Sequence, residues 1–138
     1  QSRRLISELA RSAPDLFLES ALEESEGPVV RPALAIAAGL RRRRTAISPL
    51  LGLLERGSRK ERVISCRALG WIGAVNAVPA IAELLHNHDW KLRMSAAKAL
   101  GSLRALAAKP ALERLYDDRN PRVRKAAQQA VRRMERGA

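Results

Sequence analysis

The most metal-like cluster in the chain is His86-Asn87-His88-Asp89, whose imidazoles and carboxylate are ligand types for zinc or another transition metal. The four residues are adjacent in a stretch that reads as a turn, where neighbouring positions rarely converge on one ion. A solvated loop is therefore favoured over a metal site. Cys66 is the only cysteine, which excludes an intrachain disulfide framework and any Cys-based zinc cluster. It reads as a buried, inert thiol, although Arg62 and Arg67 are near it in sequence. Glu83 and Glu113 could serve general acid–base chemistry, but they do not occupy equivalent positions and so form no designed pair. Asp117 and Asp118 read as the end of a helix. There is no Gly-rich phosphate loop, Ser-His-Asp set or nucleophile elbow. No catalytic, cofactor or metal residue is nominated, no small-molecule substrate is evident, and the chain reads as non-enzymatic.

Charge is the stronger chemical signal. The 138 residues hold 26 Lys+Arg against 14 Asp+Glu, a formal net charge of +12. It is uneven: residues 1–26 carry net −3 and residues 27–138 carry net +15. Arginine outnumbers lysine 21 to five, which suits planar, bidentate recognition of carboxylate or phosphate, or reflects a G+C-rich coding genome. The densest basic run is Arg41-Arg42-Arg43-Arg44. It reads either as an anionic-partner patch or as a solvated turn. Such a field attracts nucleic acid, an anionic membrane surface or an acidic protein.

The elements that position these groups follow from an internal repeat of 31 residues. Arg62-Val63-Ile64-Ser65-Cys66-Arg67-Ala68-Leu69-Gly70 aligns with Arg93-Met94-Ser95-Ala96-Ala97-Lys98-Ala99-Leu100-Gly101 without a gap. The same offset relates Arg31, Arg62, Arg93 and Arg124, and also Ala37, Ala68, Ala99 and Ala130. Leu50, Ile81 and Leu112 align further along the unit. Full copies span 27–57, 58–88 and 89–119. Residues 1–26 read as a diverged partial copy, and 120–138 as the first helix of another.

Each unit predicts two helices. Gly27, Ser58, Asp89 and Asn120 stand at the position of an N-cap. Ser58 and Glu61 have capping-box spacing, and Pro28 and Pro121 suit a first helical position. The first helix is expected to stop at Gly70 or Gly101 in a left-handed cap. The second carries apolar residues at Val78, Ile81, Leu84 and Leu85, with Pro79 or Pro110 in its first turn. No stretch alternates like a strand, and no apolar run approaches the roughly 20 residues of a membrane-spanning helix. The fold expected is all-α: a right-handed α-solenoid of stacked antiparallel helix pairs. With only 3% aromatic residues, its packing must rely on Ala and Leu.

Asp89-Trp90-Lys91-Leu92-Arg93-Met94-Ser95-Ala96-Ala97-Lys98-Ala99-Leu100-Gly101 resembles the short HEAT-like repeat also found in phycobilin lyase subunits. Asn120-Pro121-Arg122-Val123-Arg124-Lys125-Ala126-Ala127 follows the same pattern more closely. The resemblance covers nearly the whole chain and is specific for fold rather than activity. It implies that Arg31, Arg62, Arg93 and Arg124 form a structural ladder, with Arg62 reaching toward Asp89 and Arg93 toward Asn120. A phosphate-binding ladder is the alternative. It also implies that second helices line a concave groove, offering Glu83, His86, Glu113 and Arg114 to a partner.

Stacking the repeats aligns Lys60, Lys91 and Arg122, and also Arg67 and Lys98, as two outer basic columns, with Arg132, Arg133 and Arg136 extending the basic end. Trp71 reads as a packed cap of the inter-helix turn rather than a base-stacking platform. The expected function is a scaffold that docks a protein partner, as part of a longer cytoplasmic protein or as the cytoplasmic part of a larger, membrane-attached one. The alternative is a nucleic-acid-binding module that holds phosphates with the four arginines at 41–44 and the basic columns.

Overall fold

The computed structural model describes residues 46–136, which form six α-helices without a strand. Helix α1 spans Ile47–Arg56 and α2 spans Arg59–Ile72. After a 3-10 turn, α3 (Val78–Glu83) tightens into a second 3-10 turn at Leu84–His86. Helix α4 (Trp90–Ser102), α5 (Lys109–Arg114, tightening at Leu115–Asp117) and α6 (Pro121–Arg136) repeat that pattern. Helices α2, α4 and α6 stack on one another, with the shorter α1, α3 and α5 packed behind them. The result is an α-solenoid of antiparallel helix pairs. Among the described residues, no helix is long and apolar enough to cross a membrane.

Local chemistry sets the start of each long helix. The Ser58 hydroxyl accepts from the Glu61 amide at 3.3 Å, and the Glu61 carboxylate accepts from the Ser58 amide at 3.0 Å, forming a complete capping box. One repeat on, Asp89 caps the Lys91 amide at 2.9 Å, and after another, Asn120 caps the Arg122 amide at 2.8 Å. Pro79 and Pro110 sit in the first turns of α3 and α5, where a missing N–H leaves no bond unmade. The apolar column Leu50, Ile81 and Leu112 is fully buried, as are Leu69 and Leu100. Each such side chain contributes about 1.5–3 kcal/mol by leaving water. The buried Ser65 hydroxyl donates to the Leu50 carbonyl, joining α2 to α1 without an unmet polar group.

The glycines do a different job from the expected one. Helix α2 runs through Gly70 to Ile72, and α4 runs through Gly101 to Ser102. A Cβ at Gly70 would stand 3.3 Å from the Ala99 Cα, and one at Gly101 would stand 2.8 Å from the Ala130 Cα. These glycines let successive long helices touch backbone to backbone. The left-handed caps fall three residues later, at Gly73 (φ 81°) and its repeat equivalent Arg104 (φ 51°). The Ala74 and Ala105 amides close these turns onto the Leu69 and Leu100 carbonyls. Arg104 holds its conformation at a cost of roughly 1–2 kcal/mol, because its Cβ crowds the following carbonyl.

The arginine ladder also differs from expectation in its partners. Arg62 donates to the Leu54 carbonyl at 2.9 Å, and Arg93 to the Asn87 and His88 carbonyls at 2.8 and 2.9 Å. Arg124 donates to the Asp118 carbonyl at 2.6 Å. Each guanidinium thus reaches back to the end of the preceding short helix, where carbonyls lack helical partners and the helix dipole is negative. Asp89 pairs with Arg59 rather than Arg62. Arg93 grips Asp118 rather than Asn120, through two bonds of 2.9 and 3.0 Å. Asp118 offers a carboxylate that takes both guanidinium bonds, whereas the Asn120 side chain is neutral and already caps the Arg122 amide. Arg31 lies outside the described residues.

Burial raises the Asp118 pKa, but the hydrogen bonds from Arg93 and the Asn120 amide and the charges of Arg93 and Arg124 outweigh it. The carboxyl is held below its ordinary value. A carboxyl depressed in the folded state stabilises fully above its unfolded pKa, and that stability is lost as pH falls through the folded one.

Two outcomes follow. Gly101→Ala should destabilise by about 1–3 kcal/mol, because its Cβ meets backbone rather than a movable side chain, and Gly70→Ala should cost less; urea melts compare them. Asp118→Asn should cost about 1–3 kcal/mol at neutral pH, since the pair is largely shielded, with side chains 16% and 8% exposed. Below about pH 4, the ordinary Asp value, that deficit should shrink as the wild-type carboxylate protonates, which melts across pH would register.

Candidate docking cleft on the long-helix face

Residues 31 apart on α2, α4 and α6 line up as columns across the stack. One column is Arg67, Lys98 and Gln129; another, four residues later and so one helical turn along the same face, is Trp71, Ser102 and Arg133. Together they wall a cleft of about 260 Å³, floored by Ala99, Ala126 and Ala130. The Arg67 guanidinium lies 5.6 Å from the centre of the Trp71 ring, and Arg133 donates to the Ser102 hydroxyl at 3.3 Å. A neighbouring hollow of about 420 Å³ shares Gln129 and Arg133 and adds Arg104 and Arg136. Among the described residues, no carboxylate lines either space, and the ion pairs found there, Arg59–Asp89 and Arg93–Asp118, involve none of these cations.

Trp71 is therefore not the packed turn cap expected of it. Gly70 takes the contact with the next helix, and Trp71 points outward, 38% exposed. Two further large apolar residues, Val75 and Leu106, stand 63% and 61% exposed at equivalent positions just beyond α2 and α4.

The other sequence-nominated cations fall elsewhere. Lys60, Lys91 and Arg122 are exposed at the starts of α2, α4 and α6. The Lys91 ammonium and the Arg122 guanidinium lie 5.8 and 5.4 Å from the centre of the Trp90 ring. A wide groove of about 690 Å³ beside Trp90 is lined by mixed charge, including His86, His88, Arg93, Asp117 and Asp118. Glu83, Glu113 and Arg114 are exposed on or near the short helices but line none of these three spaces. Arg132 is exposed on α6 outside the cleft, and Arg41, Arg42, Arg43 and Arg44 lie outside the described residues.

Among the described residues, no three His, Cys, Asp or Glu side chains gather as a metal site. Cys66 is buried, and burial pushes its thiol up to about 12, with Arg62 pulling weakly the other way. A thiol so seldom ionised is a poor nucleophile. The cleft's chemistry is binding: cationic donors beside an aromatic face, suited to an anion carrying an apolar group. Inspection of the sequence for charge alone misses Trp71, Ser102 and Gln129 as members of this site, and Arg104, which lines the adjoining hollow, is not among the cations nominated from the sequence. The 31-residue offset that joins 67, 98 and 129, and 71, 102 and 133, is the signal that finds most of them.

Comparison with known proteins places this geometry. The chain superposes on human deoxyhypusine hydroxylase in complex with glycerol, with TM-score 0.73 and 28% identity, covering 87% of this chain and 43% of the other. It superposes on the complex of CpcE and CpcF of phycocyanin lyase from Nostoc sp. with TM-score 0.82 and 22% identity, covering 98% and 59%. An engineered protein gives TM-score 0.73 at 19% identity, covering 99% and 73%. The chain thus spans about half the length of the two natural structures. No curated protein matches it. Residues 52–132 match the sequence pattern of HEAT repeats, and with that match across the stacked helix pairs, the chain belongs to the HEAT-repeat family.

Proposed function

We propose that the chain is a non-enzymatic scaffold that docks a protein partner along the edge formed by Trp71, Val75 and Leu106. The observation that carries this reading is the recurrence of an exposed large hydrophobic at one repeat position, Val75 and then Leu106, with a further exposed large apolar residue, Trp71, four residues before Val75 in sequence. Exposed apolar groups in register mark interaction surfaces. Aromatics with arginine and few acids are the composition of interface cores. A cytoplasmic setting belongs to the same reading, since a lone, buried cysteine suits a reducing compartment.

A nucleic-acid reading has one observation in its favour: Lys60, Lys91 and Arg122 form an exposed column parallel to Arg67 and Lys98. The arginines at 41–44 are proposed as its extension.

A photo-crosslinking residue at Leu106, introduced in the native host, separates the two. The docking reading expects a discrete protein adduct that resists nuclease. It should weaken about tenfold in Val75→Ala, which removes two methyl groups buried by docking, at about 0.8 kcal/mol each. It should survive neutralisation of Lys60, Lys91 and Arg122. A nuclease-sensitive adduct that disappears with those three charges would support the nucleic-acid reading instead.

A further inference from the structure

The cleft between α2, α4 and α6 contains more specific information than a generally basic surface. It gathers Arg67, Lys98 and Arg133, with Arg104 and Arg136 in the adjoining hollow, and no carboxylate of the described residues lines it. Among the described residues, Arg59, Arg62, Arg93 and Arg124 are spent on backbone carbonyls and on Asp89 and Asp118; these five cations enter neither ion pair, and Arg133 donates to the Ser102 hydroxyl. A cluster of like charges held together without counter-charge repels itself, and an incoming anion relieves that repulsion. The floor is alanine and one wall is Trp71, so the occupant also brings apolar surface.

We infer that this cleft seats an extended acidic peptide segment bearing an aromatic residue, its carboxylates on Arg67, Lys98 and Arg133 and its ring against Trp71. The inference rests on the docking reading above and names the chemistry of the docked segment. Neighbouring helices stand about 8–10 Å apart, and an extended chain in the polyproline II conformation advances about 3.1 Å per residue and returns to the same face every third residue. A peptide crossing the stack therefore meets one helix every third residue, so acidic residues spaced i and i+3 meet Arg67 and Lys98 in turn. The third helix presents Gln129 in that column, a neutral donor suited to a backbone carbonyl or amide. Arg133, one turn further along, takes the remaining carboxylate. A phosphate track is the poorer fit: it places a charge at every crossing, where the third position of this column is neutral. The small volume, about 260 Å³, takes one or two side chains rather than a helix or a duplex.

The test uses the full chain carrying Trp90→Phe, which leaves Trp71 as its single tryptophan. Its emission is followed during titration with a synthetic heptapeptide containing phenylalanine and three glutamates, two of them three residues apart. Parallel titrations use the same peptide with glutamine for glutamate, a version with the glutamates adjacent, and twelve-residue oligothymidylate. The expected result is a saturable change in Trp71 emission, weakened at least tenfold in the glutamine peptide and severalfold in the adjacent version. Lys98→Gln and Arg133→Gln should each weaken binding about tenfold, the effect of one charge-assisted bond.

Gln129→Arg, which completes the column, should tighten binding severalfold, an outcome that misfolding cannot mimic. The inference is overturned if no saturable change occurs, if the glutamine peptide binds equally, or if oligothymidylate binds more tightly and loses the same factor in the same variants. Protein crosslinking at Leu106 that persists in Lys98→Gln and Arg133→Gln, with no peptide response, would remove this inference while leaving the docking reading in place.

Discussion

Everything in this solenoid depends on how closely one long helix can approach the next. At Gly101 the separation leaves no room for a methyl group, since a Cβ would lie 2.8 Å from the Ala130 Cα. Ala99 meets Gly70 in the same way, with 3.3 Å between its Cα and a Cβ placed there, and Ala68, Leu69 and Leu100 are buried in the core alongside. Backbone contact of this kind locks the rotational phase of each helix against its neighbour, because packed interiors tolerate little displacement. Only with that phase fixed do residues 31 apart fall into straight columns. The cleft is a product of the seam: its alanine floor and its cationic walls are two sides of the same three helices.

The turns between repeats hold the other edge. There the chain must finish one short helix and start a long one, leaving unmet carbonyls on one side and unmet amides on the other. Arginines 62, 93 and 124 satisfy the carbonyls, while Ser58, Asp89 and Asn120 satisfy the amides. This division of labour explains why arginine recurs at one position and a short polar residue at another. It also separates the basic residues into two populations: those consumed by the turns and those, such as Arg67 and Lys98, left facing solvent. The net charge of +12 is an average over both and describes neither.

Much of this is legible in the sequence. The repeat, the helix pairs, the N-caps and the buried column of Leu50, Ile81 and Leu112 can be read directly, because they depend on local periodicity and local hydrogen bonds. What is not legible depends on contacts between repeats. Gly70 and Gly101 look like caps because glycine near a helix end usually is one; their need for a bare Cα comes from Ala99 and Ala130, a repeat away. Asn120 looks like the partner of Arg93 until its neutral side chain and its capping bond are counted, while Asp89, also a cap, pairs with Arg59 rather than Arg62. Trp71 looks like packing material because tryptophan is large and apolar, yet the neighbouring glycine takes the buried position and turns the ring outward. Arg104 occupies a left-handed position that Gly73 fills one repeat earlier, which the sequence alignment suggests only once the true cap is known.

The central claim is that one register, the 31-residue offset, both holds the stack together and assembles the binding face. Amide chemical-shift mapping on the isotope-labelled chain, during titration with the glutamate-and-phenylalanine peptide, tests it most directly. The account predicts perturbations confined to three segments, residues 67–71, 98–102 and 129–133, each one repeat from the next. Perturbations centred on the short helices around Glu83 and Glu113, or spread evenly along every basic stretch, would contradict it.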